Sequence, residues 1–142
     1  MVDLEPFGFP GLAEQIWLVP SVGGTYEVAC IPFRVYGLAL KDVVELDHAG
    51  KVIIGVRESG GHRVFRVFLS PSLPDEKFQP TRSSLIRAAD EAHLKAEWSG
   101  ERHLAVDVPP QGDIGSLWSA IEQGNSGGGI YCEWGDVEMF RR

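Results

Sequence analysis

Residues 26–46 constrain the fold more than any other stretch. Tyr26-Glu27-Val28-Ala29-Cys30-Ile31-Pro32-Phe33-Arg34-Val35-Tyr36-Gly37-Leu38-Ala39-Leu40-Lys41-Asp42-Val43-Val44-Glu45-Leu46 is the longest run dense in β-branched, aromatic and aliphatic side chains, with polar residues recurring through it. Side chains of this kind suit a pleated, half-buried surface. Pro32 lacks a backbone donor and Gly37 permits a bend, so the run reads as strands joined by a turn. Residues 26–31 are expected as one strand, with Tyr26, Val28 and Cys30 on one face. Residues 33–36 and 42–46 supply one or two more. Residues 16–19, stopped by Pro20, form an earlier strand, and Ser21-Val22-Gly23-Gly24 is a turn. Asp47-His48-Ala49-Gly50 turns tightly into residues 51–57, which are apolar on both faces and therefore central. Ahead of all this, residues 1–13 read as an irregular Gly- and Pro-rich arm whose two phenylalanines pack on the body.

The rhythm changes at Gly61. Residues 62–69 alternate around Phe65, Val67 and Leu69. Residues 71–80 hold three prolines and read as a loop. Ser83 or Ser84 caps a helix through residues 85–92, and residues 93–98 and 102–108 alternate as a hairpin. Residues 84–98 also admit a single long helix. Asp113 caps a second helix whose apolar stripe is Ile114, Leu117, Trp118 and Ile121, and Gly124 stops it. Residues 130–134 make a last short strand, and residues 139–142 trail off. Strand, helix, strand, strand, helix, strand is the ferredoxin-like split βαβ order. The expected fold is α+β: an N-terminal curved antiparallel sheet or partial barrel over residues 14–58, packed on or continuous with a ferredoxin-like βαββαβ unit over residues 61–138. At 142 residues the chain is expected to form one compact domain.

Composition narrows the function classes. The chain is 44% hydrophobic, too rich for disorder. Its net charge of −7 is spread along the chain, at −4 over residues 1–60 (eight acids, four bases) and −3 over residues 61–142 (twelve acids, nine bases). Nucleic-acid binding needs clustered Lys and Arg to neutralise phosphates, so it is not expected. Cys30 and Cys132 are read as buried thiols, or as one disulfide if their strands are neighbours. The N-terminus carries no basic region followed by an apolar core, and no apolar run reaches membrane-spanning length, so a cytoplasmic protein is expected.

Tyr26-Glu27-Val28-x-x-Ile31-Pro32-Phe33-x-x-Tyr36-Gly37-Leu38-Ala39-x-x-Asp42-Val43-Val44 resembles the hallmark of an uncharacterised bacterial domain family. Glu58-Ser59-Gly60-Gly61-His62-Arg63-Val64-Phe65-Arg66-Val67, Leu104-Ala105-Val106-Asp107-Val108-Pro109 and Tyr131-Cys132-Glu133 are similar to its other landmarks. The resemblance spans about residues 14–134, with Lys41 standing where the family pattern has Gly. It implies a compact bacterial cytosolic domain and carries no activity.

The best cluster for a site is Glu58-Ser59-Gly60-Gly61-His62 with Arg66. A Gly-Gly loop exposes backbone N–H groups, an Arg beside it holds an anion, and Ser59 with His62 could form a nucleophile–base pair. The plainer reading is a polar turn between strands. Asp42, with Glu45, Asp47 and Glu58, suits a metal or acid–base site, or caps a turn with its carboxylate. Gly127-Gly128-Gly129 follows a helix instead of opening one, so it is a hinge and no phosphate cradle. His48, His62, His93 and His103 lack metal spacing, although His93 and His103 could face each other across the hairpin. Trp98 and Trp118 fit core positions, and Trp17 and Trp134 suit exposed strand edges that anchor a partner, or packing between layers. Tyr36, Asp42, Glu58, Ser59, His62, Arg66, Trp17 and Trp134 are thus the candidate binding residues, with no catalytic residue, metal or cofactor assigned. The leading expectation is a non-catalytic module that binds a protein partner, in the form of an immunity or antitoxin-like neutraliser of a basic protein. The alternative is a small-molecule binder or hydrolase built on residues 58–66, which needs Asp42, Glu58, His62 and Arg66 in one concave pocket. Residues 130–134, as an edge strand, could also pair with a second copy.

Overall fold

The structure is a computed structural model that describes residues 1–137. Ten strands and two α-helices occur among these residues: β1 (Val2–Asp3), β2 (Ala13–Glu14), β3 (Leu18–Pro20), β4 (Tyr26–Val28), β5 (Val43–Leu46), β6 (Ile53–Glu58), β7 (Arg63–Leu69), α1 (Asp75–Glu91), β8 (Ala96–Ser99), β9 (His103–Val108), α2 (Gly115–Gly124) and β10 (Ile130–Trp134). All pairings are antiparallel, and they make three sheets: β1-β2, the meander β3-β4-β5-β6, and β10-β7-β9-β8. The fold is α+β, as the sequence predicts. The element order and the central placing of β7 and β9 are consistent with the split βαβ expectation. The expected trailing end at residues 139–142 lies outside the described residues. No helix among the described residues is long and apolar enough to cross a membrane.

The third sheet works as a two-sided layer. Phe65, Val67 and Leu69 of β7 and Leu104, Val106 and Val108 of β9 point to the helices, where they meet Leu85, Ala88, Ala89, Leu117 and Ile121. Four consecutive residues of β7, Val64 to Val67, are buried, so both faces of that strand are covered. The second core lies under the meander, around Val28, Val35, Leu38, Val44 and Ile53, with Val2, Leu4 and Ile16 from the N-terminal arm. A small third cluster, Ile31, Ala39, Val64 and Ala105, joins the two.

Several local expectations are corrected. Residues 33–36 are not a strand. Residues 29–42 form an irregular connection between β4 and β5, in which side chains rather than a neighbouring strand satisfy the backbone of residues 32–35. The loop expected at residues 71–80 is half helix: α1 begins at Asp75, directly after Pro74, and carries Pro80 inside it. Asp75 and Glu76 in its first turn suit the positive end of the helix dipole. Pro80 gives up only the bond to the Glu76 carbonyl, and both residues are exposed, where water can replace it. The helix ends in a Schellman turn, with the Leu94 N–H donating to the Ala89 carbonyl (2.9 Å) and the His93 N–H to the Asp90 carbonyl (3.0 Å). His93 therefore sits at φ 57°, outside the strand, and does not face His103, whose cross-strand partner is Ser99. The arm is more ordered than expected, with β1 paired to β2 and the Ile53 N–H bonded to the Met1 carbonyl. The N-cap of α2 is Ile114 and not the expected Asp113, whose Oδ1 accepts from the Gly115 N–H (2.8 Å) in the turn just before the helix, and Trp118, expected in the core, is 44% exposed.

Candidate functional site

The hallmark connection of residues 29–42 lies on the non-helical face of the third sheet and is fastened there by side chains from three places. The Glu14 carboxylate accepts from the backbone N–H groups of Phe33 (2.6 Å), Arg34 (2.9 Å) and Val35 (2.9 Å). Three amides around one carboxylate make a nest of the kind that holds anions, here filled by the chain itself. Arg66, 2% exposed, rises from the centre of β7 and donates to the carbonyls of Pro32 and Val35. Its Nη1 lies 3.7 Å from Glu133, and its guanidinium lies 5.2 Å from the Tyr36 ring. The Tyr36 hydroxyl in turn bonds the Glu133 carboxylate at 2.6 and 2.7 Å. Burial lowers the Arg66 pKa, and the charges of Glu133 and Glu14 oppose that shift. Gly135 packs so closely on the guanidinium that a Cβ there would overlap it.

Asp42 is fully buried and holds two loops together. Its Oδ2 accepts from the Ala39 N–H and its Oδ1 from the Gly60 N–H, both at 2.9 Å. The turn-capping reading of this residue is therefore the observed one. Lys41 keeps the turn by adopting φ 71°. Gly60 presses on that turn: a Cβ on it would lie 2.6 Å from the Lys41 Cβ.

The loop 58–62 does not build the pocket the sequence suggested. Glu58 ends β6 in an exposed position, and Ser59 Oγ accepts from the Gly61 N–H (3.2 Å), a local turn contact. His62 Nδ1 meets the buried Asp107 carboxylate at 2.8 and 3.0 Å. Arg66 lines a cavity of about 100 Å³ with Phe68, His103, Tyr131, Cys132 and Glu133, and none of Asp42, Glu58, Ser59 or His62 joins it. Trp17 is 67% exposed. Trp134 is half-buried, edge-on to Phe65 (5.1 Å) and beneath the Arg63 guanidinium (3.8 Å), which Asp136 holds at 3.0 Å. Cys30 and Cys132 are free thiols in different cores, so the disulfide alternative is not realised; burial raises both pKa values.

Sequence reasoning missed the part of this sheet face that the connection leaves open. Phe68 on β7 and Tyr131 on β10 sit directly opposite each other, 40% and 62% exposed. His103 lies edge-on to Phe68 at 5.9 Å. Burial lowers the His103 pKa, with Arg34 and Arg66 adding to the shift and Glu133 and Glu14 opposing it. The signal was present in the alternation of β7: if Phe65, Val67 and Leu69 face the helices, Phe68 must face away. No group of three or more His, Cys, Asp or Glu residues that could hold a metal occurs among the described residues.

A crystal structure of a hypothetical protein from Neisseria gonorrhoeae is similar, with TM-score 0.61 at 19% identity, covering 80% of this chain and 75% of that one, which shows a shared fold. No curated protein matches. The chain belongs to the family described as Domain of unknown function (DUF4265), whose model matches residues 14–131 and so includes the hallmark connection.

Proposed function

We propose that this member of the DUF4265 family is a non-catalytic module that binds a protein partner through the open sheet face at Phe68 and Tyr131. The exposed aromatic pair beside an edge strand carries this reading. Large aromatics half out of water on a rigid sheet are typical anchors of protein interfaces, and β10 pairs only with β7 among the described residues. The net charge of −7 favours a basic partner, in which case charge speeds association. Neutralisation of a basic protein in a bacterial cytosol, in the manner of an immunity protein or antitoxin, is the narrower form of this proposal. A hydrolytic or ligand site made of Asp42, Glu58, His62 and Arg66 has little support, because Asp42 and Arg66 are buried and bonded to backbone groups. The test is affinity capture from the native lysate with the wild type and with Tyr131→Glu and Phe68→Glu. A basic protein captured at 0.15 M salt on the order of physiological ionic strength, and lost at high salt and in both variants, is the expected result. Equal capture by wild type and variants would overturn the assigned surface. A homodimer that both variants abolish would reassign it to a second copy.

A further inference from the structure

We propose that the groove between α1 and the free edge of β8 takes an extended, acidic segment of a partner protein as an added strand. This groove lies on the helical face of the third sheet, opposite Phe68 and Tyr131, and is a second surface independent of the one above.

Gln79, Arg82, Ser83, Ile86, Arg87 and Asp90 line one wall, Trp98 lies against it, and the volume is about 560 Å³. The spacing of the wall residues is i, i+3, i+4, i+7, i+8 and i+11, one stripe along the flank of α1. At 1.5 Å per residue that stripe runs for about 16 Å, the length of a strand of about five residues.

The other side is a sheet edge. β8 pairs with β9 alone among the described residues. The Asp107 N–H donates to the Lys95 carbonyl (2.8 Å), which fixes the phase of the ladder: residues 95, 97 and 99 turn their backbone groups to β9. The N–H and C=O groups of Ala96 and Trp98 therefore point away from β9, into the open edge. Trp98 sends its side chain to the helical face, where the Arg82 guanidinium lies 4.5 Å from the ring.

Charge selects the occupant. Neither Arg82 nor Arg87 has a carboxylate within ion-pair distance among the described residues, whereas Arg57, Arg63 and Arg66 each do. Two guanidiniums without an ion-pair partner on one wall favour carboxylates from outside at this groove, against the chain's net charge of −7. Strand addition then supplies main-chain bonds, the Ile86–Trp98 floor takes one apolar side chain, and carboxylates two residues to either side reach the arginines.

The probe is a fluorescent peptide, Glu-Thr-Val-Thr-Glu, titrated by anisotropy and by backbone amide shifts, against Lys-Thr-Val-Thr-Lys and against the acidic peptide N-methylated at alternate residues. Saturable binding of the acidic peptide is expected, with shifts in β8 and along α1 and little binding of the other two. Arg87→Glu, at an exposed position, should weaken it about tenfold, and Arg82→Glu/Arg87→Glu further. Equal binding of acidic and basic peptides, unchanged binding in Arg87→Glu, or no shifts in β8 up to millimolar peptide would overturn the proposal. So would a dimer of this chain that already shields those amides.

Discussion

Lys41 and Gly60 meet at one turn, where Lys41 departs from the backbone preference for Gly and Gly60 follows it. A Cβ-bearing residue at φ 71° crowds the neighbouring carbonyl, at a cost of about 1 kcal/mol. Lys41→Gly should therefore raise stability by about 0.5–1 kcal/mol in urea unfolding, because the Lys41–Glu27 ion pair it removes is largely exposed and contributes little. Gly60→Ala should do the opposite, by more than 2 kcal/mol on the order of other overpacking penalties, since its Cβ would strike the Lys41 backbone. His103 gives a pH signature. Its folded pKa lies below its ordinary value, so the unfolded chain binds the extra proton first. Stability from this group is present above about pH 6.5 and is lost as pH falls through the folded value. A stability–pH profile should slope down on that side in the wild type and flatten in His103→Gln. The turn-capping role of Asp42 was one of two readings the sequence offered, beside a metal or acid–base site, and it is the one its bonds to the Ala39 and Gly60 N–H groups bear out. Its second partner, the Gly60 N–H eighteen residues away, was not legible, because local pattern carries no information on which loops meet.

Among the elements, α1 shows how punctuation is overridden. Three prolines between residues 71 and 80 marked a loop, yet Pro74 stands just before the helix and Pro80 sits where the lost bond faces water. The helix stop was read within one residue, although His93 fills the position that Gly usually takes, but the start was misplaced: Ser83 and Ser84, expected as caps, lie inside α1. His93→Gly should accordingly raise the midpoint of thermal unfolding, by about 1 kcal/mol in free energy, without moving the strand that follows. An unchanged or lower midpoint would mean that the His93 side chain contributes something the turn geometry does not. The hairpin of β8 and β9 was legible in part: alternation marked both strands, but the first was read from residue 93 where β8 begins at Ala96, and a single helix over residues 84–98 stayed open.

At the scale of the molecule, two layers are joined by a clasp of carbonyls on an arginine. Removing the Arg66 guanidinium leaves the Pro32 and Val35 carbonyls buried without it. Arg66→Met should lower stability by about 2–4 kcal/mol, the range for breaking buried charged hydrogen bonds. The expected single domain predicts one cooperative transition for the wild type, with far-ultraviolet circular dichroism and tryptophan fluorescence coinciding. Separate transitions would mean that the meander and the helical unit unfold on their own.

Hydropathy period and turn residues, both local quantities, determined the α+β class and the order of the C-terminal elements. Which strands are edges, which loop covers which sheet face, and where Arg66 turns were decided only in three dimensions. Those outcomes depend on contacts between residues far apart in the chain: Glu14 with the amides of residues 33–35, Arg66 with the carbonyls of Pro32 and Val35, and Tyr36 with Glu133. A buried polar group must find a partner wherever the packed layers bring one, and that partner is not written next to it in the sequence.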